Sequence, residues 1–468
     1  MKKLSIVLTA VLALMLVAAL CALPMSAADN VIFIAGDGAG TGDGSSAENA
    51  FKPTKGNFDT TSSNPLLQAD TALYQVWQKL LEAGGGTVVV CGPVVFDETT
   101  GQGTAGTTKD MFIRELSAYK PDVTITYTSV YNGVDYRETA GAKILLDKTA
   151  HLILPSASVF ENINIQAGDT NRSLCGGSCP MTFGQGTKFL PTEGTDADNP
   201  ANYPLIVGGQ RFMKNTGNPT ITVDIGNDNV IGHIFGGQNG AGEKYQLTGD
   251  VTINLKSGHF IGDINGTSRQ AKTPVNGNVT INIEGGIFDG TINGVSGGGF
   301  ENDDATLTVK VTGGDFSNSL GLFDSGVGIG MNLAKYALLD LSGADNATAS
   351  SANGVAAGFH ETVLPAGFAP ATTAAPETTT AAPSTTHPDQ REGLESTEAV
   401  PGSTTEAPAA DAETTAAPAA DAETTAAPET TAPASSAEGG SNTGLIIGIV
   451  AAVIVIAVIV VVVVKKKK

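Results

Sequence analysis

Cysteine is scarce in this chain. There are four in 468 residues, and one of them, Cys21, lies in an apolar leader. The other three, Cys91, Cys175 and Cys179, are an odd number without the dense spacing of a disulfide scaffold. Cys175-Gly-Gly-Ser-Cys179 can close a small loop as a disulfide or hold two reduced thiols, and both readings stay open. No histidine stands near either cysteine in sequence, which argues against a zinc site there. Basic residues are also few: 26 Lys plus Arg against 47 Asp plus Glu give a net charge of −21. That balance argues against nucleic acid, whose binding rests on basic patches, and it weighs against acidic polysaccharides as ligands. Long apolar runs occur only at the two ends.

At the N-terminus, Met1-Lys2-Lys3 leads into apolar Leu4 to Leu23, then Ser26-Ala27-Ala28, so residues 1–28 read as a secretory signal. Leu20 precedes Cys21 where lipoprotein processing needs a small residue, and lipidation is set aside. At the other end, Gly444 to Val464 is an apolar run of 21 residues, the length of a membrane-spanning helix. Lys465 to Lys468 follow and should stay cytoplasmic, which leaves the preceding chain outside. The expectation is a single-pass protein of a bacterial, Gram-positive cell membrane, displayed at the cell surface. Residues 440–468 resemble a sortase sorting signal without its Leu-Pro pair, so a retained helix is favoured. Residues 366–443 are rich in Thr, Ala and Pro, with Ala-Pro-Ala-Ala-Asp-Ala-Glu-Thr-Thr-Ala at Ala407 and again at Ala417. Such a tract buries too little apolar surface to fold, and reads as a disordered stalk spanning on the order of 200 Å.

Between the ends the chain repeats. Ile221-Thr-Val-Asp-Ile225, Val251-Thr-Ile-Asn-Leu255, Val279-Thr-Ile-Asn-Ile283 and Leu307-Thr-Val-Lys-Val311 begin 30, 28 and 28 residues apart. Nine positions on stand Val230, Phe260, Phe288 and Phe316, followed by Ile234, Ile264, Ile292 and Leu320. Alternating apolar and polar residues mark strands with one buried face, and this period marks a stacked β-solenoid. Ile253, Ile281 and Val309 should then form one inward column. Thr222, Thr252, Thr280 and Thr308 should form an outward one, and Asn265 and Asn293 a ladder at a corner. Glycines such as Gly232, Gly262 and Gly290 should make the bends. Ile206-Val-Gly-Gly-Gln210 matches Ile234-Phe-Gly-Gly-Gln238, and Ala337 continues the series. Ile144 to Asp147, His151 to Leu154 and Phe160 to Ile165 look like less regular turns. Leu73, Val76, Trp77, Leu80 and Leu81 place one apolar stripe on a helix over 70–83, suited to covering the open end before a first strand at Thr87 to Val90.

Asp70-Thr-Ala-Leu, this helix and Gly85-Gly-Thr-Val-Val-Val-Cys-Gly-Pro93 resemble the N-terminal cap of the pectate-lyase-like right-handed parallel β-helix superfamily. Ile34-Ala-Gly-Asp-Gly with Asp43 to Phe51 resembles the opening of bacterial surface proteins of that type. The resemblance implies an all-β, right-handed parallel β-helix over 29–365. Activity does not follow, because the fold hosts lyases, hydrolases and adhesins alike.

Several residues are candidates for chemistry. His233 and Asp263 share one position in adjacent turns, a pair suited to proton transfer or to a surface hydrogen bond, with Thr291 and Ser319 next in the column. Asp303-Asp304 and Gly258-His259-Phe260 depart from the polygalacturonase pattern. Long polar connections bring Tyr245, Arg269, Lys272, Glu301, Asp303 and Asp304 toward one rim, a candidate ligand-binding surface. Asp37 and Asp43 are candidate calcium ligands in a loop that reads equally as a cap. The expected function is non-catalytic adhesion, with an extracellular glycan or surface protein as partner and no obligatory cofactor. An extracellular polysaccharide lyase or glycoside hydrolase is the alternative.

Overall fold

The computed structural model describes residues 30–53, 72–96, 109–111, 119–147, 150–210, 215–239, 246–269, 273–325 and 333–369. The signal, stalk and membrane-span assignments, and Tyr245 and Lys272, lie outside the described residues. Within them, successive strands build an eleven-stranded sheet, a nine-stranded sheet and smaller sheets of two to four strands. The chain visits these in rotation: Ser156–Glu161 lies in the long sheet, Asn164–Ala167 in a four-stranded one, and Ser173–Cys175 in the nine-stranded one. The next turn repeats that route. Equivalent strands pair in parallel, and the antiparallel exception is the hairpin of Val130–Tyr131 with Val134–Asp135. This is an all-β parallel solenoid.

The expected column is present, with Ile253 on Ile281 and Ile281 on Val309. Their side chains are buried in one continuous core. Aromatic rings stack along it: Phe260, Phe288 and Phe316 lie 5.0 Å apart in sequence, and Tyr127, Phe160 and Phe183 stack similarly in the earlier turns. Ile206 pairs with Ile234 and Leu307 with Ala337, as the spacing predicts.

Three register assignments differ. Ile221 pairs with Ile253 rather than Val251, so Thr220 heads the threonine column and Thr222 lies on Asn254. Ile231, not Val230, lies beside Phe260. Leu322 takes the place expected for Leu320, and Gly321 that of Ser319, leaving Leu320 70 % exposed. The first and third differences are slips of two residues. An even slip keeps each side chain on its own face of the strand, so the alternating pattern alone cannot detect it.

Both ends are covered. The cap helix spans Ala72–Glu82, and its Leu73, Val76, Trp77 and Leu80 are buried. Trp77 Nε1 donates to Tyr127 Oη at 2.8 Å. The strand Gly86–Val90 is not the first: Val31–Ile34 precedes it and pairs alongside. The loop after Val31–Ile34 returns along the free edge of that strand, with Phe33 N–H donating to Gly44 O and Ala35 N–H to Phe51 O. The Gly36 to Gly42 segment thus belongs to an edge cover. At the far end lies a helix the repeat pattern did not show, Asn346–Val355, whose N-cap Asp345 accepts the Thr348 N–H at 2.7 Å. Its Ala349 and Ala352 are buried against the last turns.

Candidate functional site

The outer face of the nine-stranded sheet carries more buried polar groups than a solvated surface would. One column runs through His151, Ser173 and Leu205, then His233, Asp263 and Thr291, fixed by the pairing of Ile206, Ile234, Ile264 and Ile292. His233 and Asp263 therefore meet, as their spacing predicts, with Nδ1 and Oδ2 3.9 Å apart. The closer partner of the ring is the backbone. Asp263 N–H donates to His233 Nδ1 at 2.9 Å, and Thr291 N–H donates to Asp263 Oδ1 at 3.2 Å. Each side chain thus takes up an amide from the following turn at the bend. Burial holds the His233 pKa below the ordinary histidine value; the Asp263 carboxylate pulls it up and Arg269 pushes it down. A neutral ring that accepts at Nδ1 carries its proton on Nε2.

Arg269 joins this patch rather than the acidic rim. Its Nη1 donates to Asn239 Oδ1 at 3.2 Å and its Nη2 to Asn171 Oδ1 at 2.9 Å. Asn239 Nδ2 reaches Ser173 Oγ at 3.2 Å, and Ser173 Oγ lies 2.6 Å from His151 Nδ1 and 3.4 Å from Cys175 Sγ. His151, Ser173 and Asn239 are buried. Beside them Ile153, Cys175, Leu205, Val207 and Phe235 form a second apolar cluster outside the coil, flanked by Tyr119. The period of 28 gives no hint of this network, because Ser173 follows His151 by 22 residues and Asn239 follows Ser173 by 66. Matching the inward Leu152 to Leu174 would have placed the two side by side.

The remaining candidates do not converge. Glu301 accepts from Gln246 Nε2 at 2.8 Å, Asp304 pairs with Lys335, and Asp303 is exposed. Asp37 and Asp43 are exposed, Asp43 Oδ1 accepts the Ser45 N–H at 2.9 Å, and the Ser45 hydroxyl followed by that N–H lowers the Asp43 pKa. Cys175 and Cys179 are buried and are not joined to each other by a disulfide, and Cys91 is buried as well. Burial pushes the Cys91 thiol up to about 11 and Cys179 up to about 12, which keeps both protonated and poorly nucleophilic. A second pair unseen in the sequence joins His259 Nε2 to Asp289 Oδ2 at 2.6 Å, half-exposed at a corner. Among the described residues, no three His, Cys, Asp or Glu side chains come together as a metal site needs.

The long sheet presents a different surface. Thr220, Thr252, Thr280 and Thr308 form one outward column, and Thr182, Thr222, Asn254, Asn282, Lys310 and Asp340 form its neighbour. Asn282 Nδ2 donates to Asn254 Oδ1 at 2.9 Å, and Asn254 Nδ2 to Thr222 Oγ1 at 3.1 Å. These bonds link Thr222, Asn254 and Asn282 from turn to turn, and the threonine column runs beside them at the spacing of the strands. The second column crosses six strands, about 24 Å at the usual strand separation. No family model, curated protein or solved structure matches this chain.

Proposed function

We propose that this is a bacterial cell-surface protein whose solenoid, a right-handed β-helix of the pectate-lyase-like kind, recognises extracellular glycans or surface partners without catalysing a reaction. The observation that carries this reading is the Thr and Asn array on the long sheet. It is polar and half-exposed, and within it Thr222, Asn254 and Asn282 are linked from turn to turn before any ligand arrives. Preorganised hydroxyl and amide groups lose little conformational entropy on binding a hydroxyl-rich polymer. The rotating succession of sheets and the helix over the N-terminal end support the family assignment. In the same reading, residues 1–28 export the chain, 444–464 anchor it, and 366–443 hold the solenoid away from the membrane.

The His233 and Asp263 pair favours binding over the lyase or hydrolase alternative. His233 Nδ1 is engaged by a backbone amide, and its carboxylate neighbour takes another, so both are committed to structure. The test is retention on immobilised plant, host and bacterial-wall polysaccharides. Thr252→Arg with Thr280→Arg, which crowds the array, should reduce retention at least tenfold, while Glu301→Gln on the acidic rim should leave it unchanged. Retention unaffected by the threonine pair would remove the long sheet from the account.

A further inference from the structure

We infer that the corner following the nine-stranded sheet holds an integral water molecule, bound between Ser178, Gln210 and Tyr119. Later turns show how this corner is normally satisfied. Gln238 Oε1 accepts the Gln210 N–H, and Ser268 Oγ accepts the Gln238 N–H at 2.9 Å, so each side chain reaches back to an amide of the preceding turn. The same reach from Gln210 leads to Ser178, since Gly177 N–H donates to Gly209 O on the adjoining turn. There the pattern breaks, because the Ser178 N–H is already committed to Gly208 O at 3.0 Å.

The consequence is a group of buried polar atoms without a partner among the described residues. They are both amide atoms of Gln210, Ser178 Oγ and Tyr119 Oη. Gln210 and Ser178 are buried, and a side chain on Gly177 would collide with the Tyr119 ring, which places the phenol beside the same corner. Each such group left unpaired costs about 1–3 kcal/mol, so three in one place need a common partner. Two hydroxyls and a carboxamide offer donors and acceptors and no charge. That set suits a neutral molecule able to donate and accept at once, which is the chemistry of water with about three partners.

Crystals of the secreted domain at atomic resolution, together with Ser178→Ala and Gln210→Met, provide the test. The expected result is an ordered solvent peak within hydrogen-bond reach of at least two of the three side chains. Each substitution, by stranding the water, should lower Tm by about 2 °C or more. A corner without that peak would overturn the inference, and so would a Tm that stays level or rises, the response expected when a lone buried polar group becomes apolar. If a variant does not fold, the solvent peak in the unmodified protein decides.

Discussion

Asn218 Oδ1 accepts the Asp250 N–H at 2.9 Å, Asp250 Oδ1 the Asn278 N–H at 2.7 Å, and Asn278 Oδ1 the Thr306 N–H at 2.9 Å. The same device recurs where His233 and Asp263 accept amides from the next turn. A coil bends between its sheets, and at each bend a backbone amide loses its ladder partner. A short side chain from the neighbouring turn supplies the acceptor. His233 does so only while its ring is neutral. Its folded pKa lies below that of the unfolded chain, so its contribution to stability is complete above about pH 6.5. It is lost as the pH falls toward the folded value, because the unfolded chain takes the proton first. His233→Asn keeps an oxygen acceptor and removes the titration. Urea midpoints at about pH 7.5 and about pH 5 should therefore fall further in the unmodified protein than in the variant. Equal falls would show that the ring is not held neutral by the fold.

At the scale of the turn, the slips near Ile221 and Leu320 make register measurable. Leu322 fills the core position and Leu320 faces solvent. Leu322→Ala should destabilise by about 2–5 kcal/mol, while Leu320→Ala should change stability by no more than about 0.5 kcal/mol. The opposite ranking, read from urea midpoints, would restore the simple repeat alignment. Glycine marks the corners for a steric reason. A Cβ on Gly208, Gly236 or Gly266 would press into the carbonyl oxygen of the residue one turn on, Gly236, Gly266 or Gly294. Gly236→Ala should thus cost about 1–3 kcal/mol. Gly354→Ala, with nothing within 4 Å, should be neutral or slightly stabilising. Similar effects at the two sites would mean that the turns are not stacked this closely.

At the scale of the whole molecule, the solenoid was legible because its signal is repeated. Strands recurring every 28 residues with apolar residues at alternate positions leave few other solutions, and the N-terminal helix announced itself by one apolar stripe. The C-terminal helix Asn346–Val355 was not legible, since its buried face is two alanines among small polar residues. The Arg269, Asn239, Ser173 and His151 network was hidden for a different reason. Two of its members, His151 and Ser173, come from irregular turns, and what joins the four is stacking across the coil rather than proximity in sequence. The spacing brought His233 and Asp263 together correctly, but it could not show that a backbone amide stands nearer the ring than the carboxylate does. The central claim is recognition without turnover. It is tested most directly by incubating residues 29–365 with a polysaccharide panel, calcium present, and reading bound protein and released oligosaccharide from the same wells. The account predicts retention on at least one polymer with no new reducing or unsaturated ends. Release of such ends, abolished by His233→Ala or Asp263→Asn, would contradict it.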